Sequence, residues 1–227
     1  VRMSYTIPLA KPFIGNQEKE YVNYCLDSGW ISKGAYIEQF EKEFAEFFGD
    51  PSLQAIAINS ATSGLHLALE AVGIKQGDEV ITTTYTFTAS GAVIRYLGAH
   101  PVLVDVDPVT LNIDPAKVEA AITPRTKAII PVHIGGLACD MEAILDIAKR
   151  HNLKVVEDAA HALGATYKGT PIGAYSPFTA FSFQSTKHVT TADGGALCIE
   201  DNDEYALARK YRWFGIDRTK PTGPLGE

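Results

Sequence analysis

The sequence predicts an α/β fold: a mainly parallel seven-stranded sheet flanked by helices. Three observations carry this. From Gln54 onward, short β-branched runs alternate with helical segments, the order that builds βαβ units on a parallel sheet. The chain has 227 residues, 46% of them hydrophobic, enough to bury one large core. It shows no internal repeat and no low-complexity segment that would point to a solenoid or a disordered tail.

The elements follow in order. Residues 1–15, with Pro8 and Pro12, read as an extended arm. A helix follows from Asn16, with Asn16 as cap and an acidic first turn, and Ser28-Gly29 stops it. A second helix is expected over 37–48, where Ile37, Phe40, Phe44, Phe47 and Phe48 recur at core-facing spacing and Gly49-Asp50-Pro51 ends it. Strands are expected at 55–58, 79–82, 101–104, 128–131, 154–157, 179–182 and 195–199. Helices between them are expected at 62–72, 88–97, 115–121 and 141–151, with a last one over 202–213.

Composition excludes several classes. A net charge of −7 without any basic block argues against a nucleic-acid binder. The three cysteines, Cys25, Cys139 and Cys198, are scattered and lack Cys-x-x-Cys spacing, so neither a disulfide framework nor a zinc site is indicated, and no metal is expected. A reducing cytoplasm fits that usage. No apolar run approaches the ~18 residues of a membrane span, and the first residues lack a signal pattern.

In open parallel sheets ligands collect at the carboxyl ends of strands, so the loops there hold the candidate residues. After the first strand, Asn59-Ser-Ala61-Thr62-Ser63-Gly64 opens a helix with small residues. Its free N–H groups form an anion site, or Thr62 or Ser63 simply caps the helix. No Gly-x-Gly-x-x-Gly or Gly-Lys-Ser/Thr run is present, which disfavours a dinucleotide or triphosphate cradle. Tyr85, after the second strand, can stack on a flat ring or cover the sheet edge. His133 reads as a packed, hydrogen-bonded histidine, and His151 as a cation at a helix C-terminus. Asp158 ends a buried strand, so its charge requires a cationic partner or a protonated ring, or else it caps the next helix or turn. Glu157 and Asp158 are adjacent and face opposite sides, which excludes a paired-carboxylate glycosidase site. Lys187 sits in a turn among hydroxyls and glycines, between the runs 178–183 and 196–199, where a lysine can be a nucleophile or Schiff-base former or simply a solvated loop lysine. The loop Gly29-Trp30-Ile-Ser32-Lys33-Gly34 lines a pocket or packs, and Trp30 and Lys33 are its candidate substrate residues.

An anion cup, an aromatic plate, a carboxylate and a lysine are the parts that hold pyridoxal phosphate. Their order and wording resemble the DegT/DnrJ/EryC1/StrS sugar aminotransferases, pyridoxal-phosphate enzymes of fold type I. The likeness runs from Ile7-Pro-Leu-Ala-Lys-Pro12 through Ser28-Gly-Trp30-Ile-Ser-Lys-Gly34, Ala61-Thr-Ser-Gly64 and Tyr85-Thr-Phe87. It continues through Glu157-Asp-Ala-Ala160 to Ser182-Phe-Gln-Ser-Thr-Lys187, covering essentially the whole chain. The resemblance implies that Lys187 forms the internal aldimine, Asp158 bonds the pyridine nitrogen and Tyr85 stacks on the ring. It also implies that Thr62, Ser63 and Ser182, with amides from Ala61 to Gly64, hold the phosphate. His161 stands where the family often has Gln, facing the cofactor's 3-oxygen. The family's dehydratase branch has His at the Schiff-base position; Lys187 favours transamination. The implied reaction carries an amino group from an amino acid, with glutamate as the expected donor, to a keto group of a nucleotide-linked sugar, in a homodimer with shared active sites. Arg212 and Arg218 are expected to meet phosphate or carboxylate groups, or simply a helix dipole.

The resemblance also implies domain organisation: residues 1–227 correspond to the cofactor-binding large domain with its arm, and the family's small C-terminal domain falls beyond Glu227. Cofactor binding with loss of turnover is the expectation for such a chain. The alternatives are a fragment or regulator that binds pyridoxal phosphate or a nucleotide sugar without turnover.

Overall fold

A computed structural model describes residues 10–32 and 34–217. In chain order its elements are α1 (Asn16–Asp27), α2 (Ala35–Glu46), β1 (Gln54–Ile58), α3 (Ala61–Ala71), β2 (Glu79–Thr83), α4 (Ala89–Tyr96), β3 (His100–Val104), α5 (Pro115–Ala120), β4 (Thr126–Ile130), a 3₁₀ turn (Ile134–Gly136), α6 (Met141–His151), β5 (Lys154–Asp158), β6 (Thr166–Tyr167), β7 (Thr170–Pro171), β8 (Phe178–Ser182), β9 (Gly195–Ile199) and α7 (Asn202–Arg212). Each strand and helix expected from the sequence is present. The two-residue strands β6 and β7, which pair as a small antiparallel hairpin, were not expected; they are too short to show a hydrophobic period.

The large sheet has the order β1-β9-β8-β5-β4-β2-β3. Its pairings from β3 to β8 are all parallel, whereas β9 runs antiparallel to both β8 and β1. Six strands therefore point one way and β9 alone is reversed. The reversal suits the connection: β8 passes to β9 through residues 183–194 without the helix that usually carries a parallel crossover. That connection is the lysine loop. It is held to the sheet edge by Phe183 N–H donating to Gly194 O (2.9 Å) and Thr191 N–H donating to Phe183 O (3.0 Å).

Strand side chains alternate between two helical layers. Ile56, Ala128, Ile130, Val156, Ala180, Leu197 and Ile199 pack under α3, α4 and α7. Their neighbours Ile129 and Val155 face α6, while Phe181, Ala196 and Cys198 face the α2 aromatics Phe44 and Phe48. Phe40, Phe44, Phe48, Phe181 and Phe183 interlock through edge-on and stacked ring contacts, so the α2 aromatics are core. Phe47 is the exception to the expected stripe: it is 60% exposed, as the C-cap residue turning off the buried face. In α1 no residue is buried, and Gly15, not Asn16, is the cap, with Glu18 Oε2 accepting the Gly15 N–H at 2.7 Å. No described helix is long and apolar enough to cross a membrane.

Candidate active site

Because β1, β8, β5, β4 and β2 run the same way, their carboxyl ends share one edge, and the start of β9 meets them there. Ile58, Gly195 and Ser182 form one row across β1, β9 and β8. The structure thereby brings together the Ala61–Gly64 turn, Ser182, the Lys187 loop, Asp158, His133 and Tyr85, in that strand order along the edge.

The turn after β1 is capped by Ser60, one residue before Ala61. Its hydroxyl accepts the Ser63 N–H at 3.2 Å, which corrects the alternative of a Thr62 or Ser63 cap. The amides of Ala61 and Thr62 have no acceptor among the described residues, as the first turn of a helix dictates, so they remain free to bind an anion. The Ser63 hydroxyl is engaged locally, 2.5 Å from Asn59 Oδ1 and 2.8 Å from Ser60 O, which makes it part of the wall of the cup rather than an open donor. Thr62 and Ser182 are half-buried, and the Ser182 hydroxyl accepts the Gln184 N–H at 3.4 Å.

Gly195 keeps this cup open. A Cβ there would stand 2.6 Å from Phe181 O, 2.8 Å from Ala61 N and 2.8 Å from Ser60 C, all backbone atoms that cannot rotate away. Gly195→Ala is expected to destabilise the protein by about 1–3 kcal/mol, the cost of overpacking, and to distort the Ala61 amide. Urea unfolding measures the first effect, and an unchanged transition would contradict it.

Asp158 is 5% exposed. Its Oδ2 accepts the Ser90 hydroxyl proton at 2.8 Å and its Oδ1 accepts the Ala160 N–H at 3.2 Å. No Lys, Arg or His nitrogen lies within 4.0 Å of it among the described residues. The structure thus answers the requirement read from the sequence only in part: the carboxylate has hydrogen bonds but no contacting cation. Glu157, one residue back, faces the other layer and is fully buried. It lies 2.5 Å from His133 Nε2 and accepts the hydroxyls of Ser176 (2.5 Å) and Thr179 (3.1 Å). His133 Nδ1 accepts the Cys139 N–H at 3.0 Å, which leaves Nε2 to donate to Glu157. His133 is therefore a packed, hydrogen-bonded histidine, as expected.

Lys187 is half-buried, with its own N–H donating to Gln184 O at 2.8 Å. Burial holds its pKa below that of an ordinary lysine, and Asp158 opposes the shift. His161 accepts the Gly135 N–H at Nδ1 (3.3 Å), so the neutral ring carries its proton on Nε2. Partial burial of the ring is the main cause lowering its pKa; Lys187 and His188 add to it and Asp158 opposes. Tyr85 is 53% exposed beside the edge, its N–H donating to Thr83 Oγ1 at 3.3 Å.

Other expected residues lie elsewhere. Trp30 is 71% exposed on the loop between α1 and α2. Its neighbours Ile31 and Ser32 line a cleft of about 850 Å³ with Asn59, Ser63, His66 and Arg212, on the flank of the cup. Lys33, Arg218 and residues 1–9 of the arm lie outside the described residues. Arg212 pairs with the protein's own Glu41 and donates to Ala57 O at 3.1 Å, tying α7 to α2 and β1, so the carboxylate it meets is internal. His151 lies in the last turn of α6 and pairs with Glu119 at 3.3 Å. Sequence reasoning missed Ser90 and Thr86. The signal was there: Ser90 is a polar residue on the buried stripe Ala89, Val93, Ile94 of α4.

A lysine of lowered pKa, a buried carboxylate without a counter-cation and an amide cup thus lie along one edge of the α/β sheet. A family model described as the DegT/DnrJ/EryC1/StrS aminotransferase family matches residues 12–224, and the chain belongs to that family. It is 51% identical over 215 residues to the spore coat polysaccharide biosynthesis protein SpsC of Bacillus subtilis, covering 95% of this chain and 54% of that protein. It is 50% identical over 212 residues to a GDP-perosamine synthase of Caulobacter vibrioides, covering 93% and 57%. Among solved structures, a putative sugar aminotransferase of Streptococcus pneumoniae in its PLP form superposes with a TM-score of 0.84 at 36% identity, over 89% of this chain and 58% of that one. The chain spans about half the length of the curated relatives it matches.

Proposed function

We propose that the protein acts as a pyridoxal-phosphate-dependent aminotransferase, moving an amino group from glutamate to the keto group of a nucleotide-linked sugar. The observation that carries this reading is Asp158: a buried carboxylate held by Ser90 and Ala160, without a contacting cation, on the same sheet edge as Lys187. That arrangement fits a cationic ring nitrogen brought by the cofactor. When bound, pyridoxal phosphate supplies an aldehyde for amine exchange and a pyridinium ring that takes up the electron pair left as the substrate's Cα–H bond breaks.

The chain's own residues divide the remaining work. The free amides of Ala61 and Thr62, with the hydroxyls of Thr62 and Ser182, hold the phosphate at the α3 N-terminus, and Gly64 and Ser63 shape that turn. Asp158 keeps the ring nitrogen protonated. Tyr85 covers the ring face, and His161 directs Nε2–H toward the ring's 3-oxygen. With the cofactor bound, Lys187 Nζ would be the amine that holds its aldehyde carbon, and the freed amine would be the base that carries a proton to and from the substrate carbon. Trp30 and Lys33 are assigned to the sugar side. The exposed Tyr85 and Phe87 beside the site suit cover by a second copy in a cytoplasmic homodimer.

Only the neutral amine attacks, and burial lowers the pKa of Lys187 from 10.5. The cofactor should therefore attach with a pH midpoint below 10.5, its rate falling as pH drops through the folded-state value. The folded chain binds fewer protons than the unfolded one between those two values, so this group adds stability as pH rises through that window. Stopped-flow colour development against pH checks the midpoint, and a value at or above 10.5 would contradict it.

The function is tested on the longest natural chain containing these residues, incubated with pyridoxal phosphate, ¹⁵N-glutamate and a panel of nucleotide-linked keto sugars. Appearance of ¹⁵N in an amino sugar is the expected result. Label confined to glutamate with every sugar counts against it.

A further inference from the structure

Asp158 does not stand alone. Ser90, at the second position of α4 and 0% exposed, lies 2.8 Å from Asp158 Oδ2 and also 2.8 Å from Thr86 Oγ1. A serine hydroxyl has one proton, and a carboxylate can only accept it. The Ser90 proton goes to the Asp158 carboxylate at 2.8 Å rather than to the neutral Phe87 O at 3.4 Å, because the charged acceptor is both nearer and stronger, and the Thr86 hydroxyl is then the donor to Ser90. The result is a directed chain, Thr86 O–H to Ser90 O–H to Asp158 Oδ2, reaching the carboxylate from the helical layer. The Ala160 N–H anchors the other oxygen at 3.2 Å. These two bonds fix the plane of the carboxylate.

We propose that Ser90, backed by Thr86, is a positioning residue that keeps the Asp158 proton on the cofactor's ring nitrogen rather than on the carboxylate. This rests on the reading of Asp158 as the partner of that nitrogen. The reasoning is a proton balance within the pair: a single proton sits either on the nitrogen, leaving carboxylate and pyridinium, or on the carboxylate, leaving two neutral groups. Hydrogen bonds donated to the carboxylate stabilise only its charged form, so they push the proton toward the nitrogen. A hydroxyl donating to a buried charge shifts such a balance by about tenfold to a hundredfold. Thr86 strengthens the bond by polarising the Ser90 hydroxyl. The purely structural reading is that Ser90 satisfies a buried carboxylate and nothing more; the two readings differ in where the ring proton resides.

The experiment reconstitutes wild type, Ser90→Ala and Ser90→Thr with pyridoxal phosphate labelled with ¹⁵N in the ring. Each is examined by ¹⁵N NMR at one neutral pH, with borohydride trapping on Lys187 and thermal unfolding measured alongside. The expected result is trapping in all three, with the Ser90→Ala ring nitrogen moved toward the neutral-pyridine position and Ser90→Thr, which keeps the hydroxyl, remaining near wild type. A Ser90→Ala resonance at the wild-type position overturns the proposal. If Ser90→Ala does not fold, Ser90→Cys, a weaker donor of similar volume, is read instead; it is expected between the two positions, and a wild-type position again overturns the proposal. Failure of the underlying reading looks different, because wild type itself would then show the neutral-pyridine position, or trap no cofactor on Lys187.

Discussion

Lys187→Ala is expected to abolish covalent attachment of pyridoxal phosphate while leaving the fold intact. The side chain lies on the loop that joins β8 to β9, and that loop is held by backbone and hydroxyl bonds from Phe183, Thr190 and Thr191, none of which involves the lysine amine. The amine is half-buried and unpaired within 4.0 Å among the described residues, so its loss removes a desolvated cation and no contact of the core. Stability should stay within about 0.5 kcal/mol of wild type. The Ala61–Gly64 cup and Asp158 remain, so weak, non-covalent cofactor binding should persist. Absorbance of the cofactor complex, read before and after dialysis, separates the outcomes: wild type keeps its colour and the variant loses it. A variant that keeps its colour through dialysis would mean that another amine is the anchor.

Glu157→Ala is expected to act on the fold, by about 3–5 kcal/mol, the cost of breaking a fully buried charged network by removing one partner. Three donors converge on this carboxylate: His133 Nε2, Ser176 Oγ and Thr179 Oγ1. None can turn to water, since His133, Ser176 and Thr179 are themselves buried. The network joins the segment after β4, β5, β8 and the segment before β8, so its loss loosens the strand that presents Asp158. Glu157→Gln should cost less, about 1–3 kcal/mol, because one carbonyl oxygen survives while the amide nitrogen meets the His133 N–H. Urea unfolding of the cofactor-free protein gives both numbers. A Glu157→Ala loss below about 1 kcal/mol would show that the network is not a structural unit.

Adjacent carboxylates thus separate into fold and site by the period of a strand. The sequence made that much legible: alternation puts Glu157 and Asp158 on opposite faces, and strand-end position marks Asp158 and Tyr85. What it could not show was partnership across distance. Ser90 meets Asp158 from 68 positions away, and His133 meets Glu157 from 24. Local spacing carries no information on such pairs, because the parallel sheet and its helical layers create them. The Ser60 cap was missed for a different reason: Ser60, Thr62 and Ser63 are all competent caps, and only the backbone turn selects among them. The reversal of β9 also escaped the alternation rule, although the absence of a helix between 182 and 195 signalled it. Arg212 looked like a ligand for an external anion because Glu41, which occupies it, lies 171 residues earlier.

The central claim is that this sheet edge holds pyridoxal phosphate through Lys187. The most direct measurement is borohydride reduction of the protein with one equivalent of pyridoxal phosphate, followed by proteolysis and mass mapping of the pyridoxyl label. The account predicts a single modified peptide carrying the label on Lys187. Label spread over exposed lysines such as Lys42 and Lys127, with Lys187 unmodified, would contradict it.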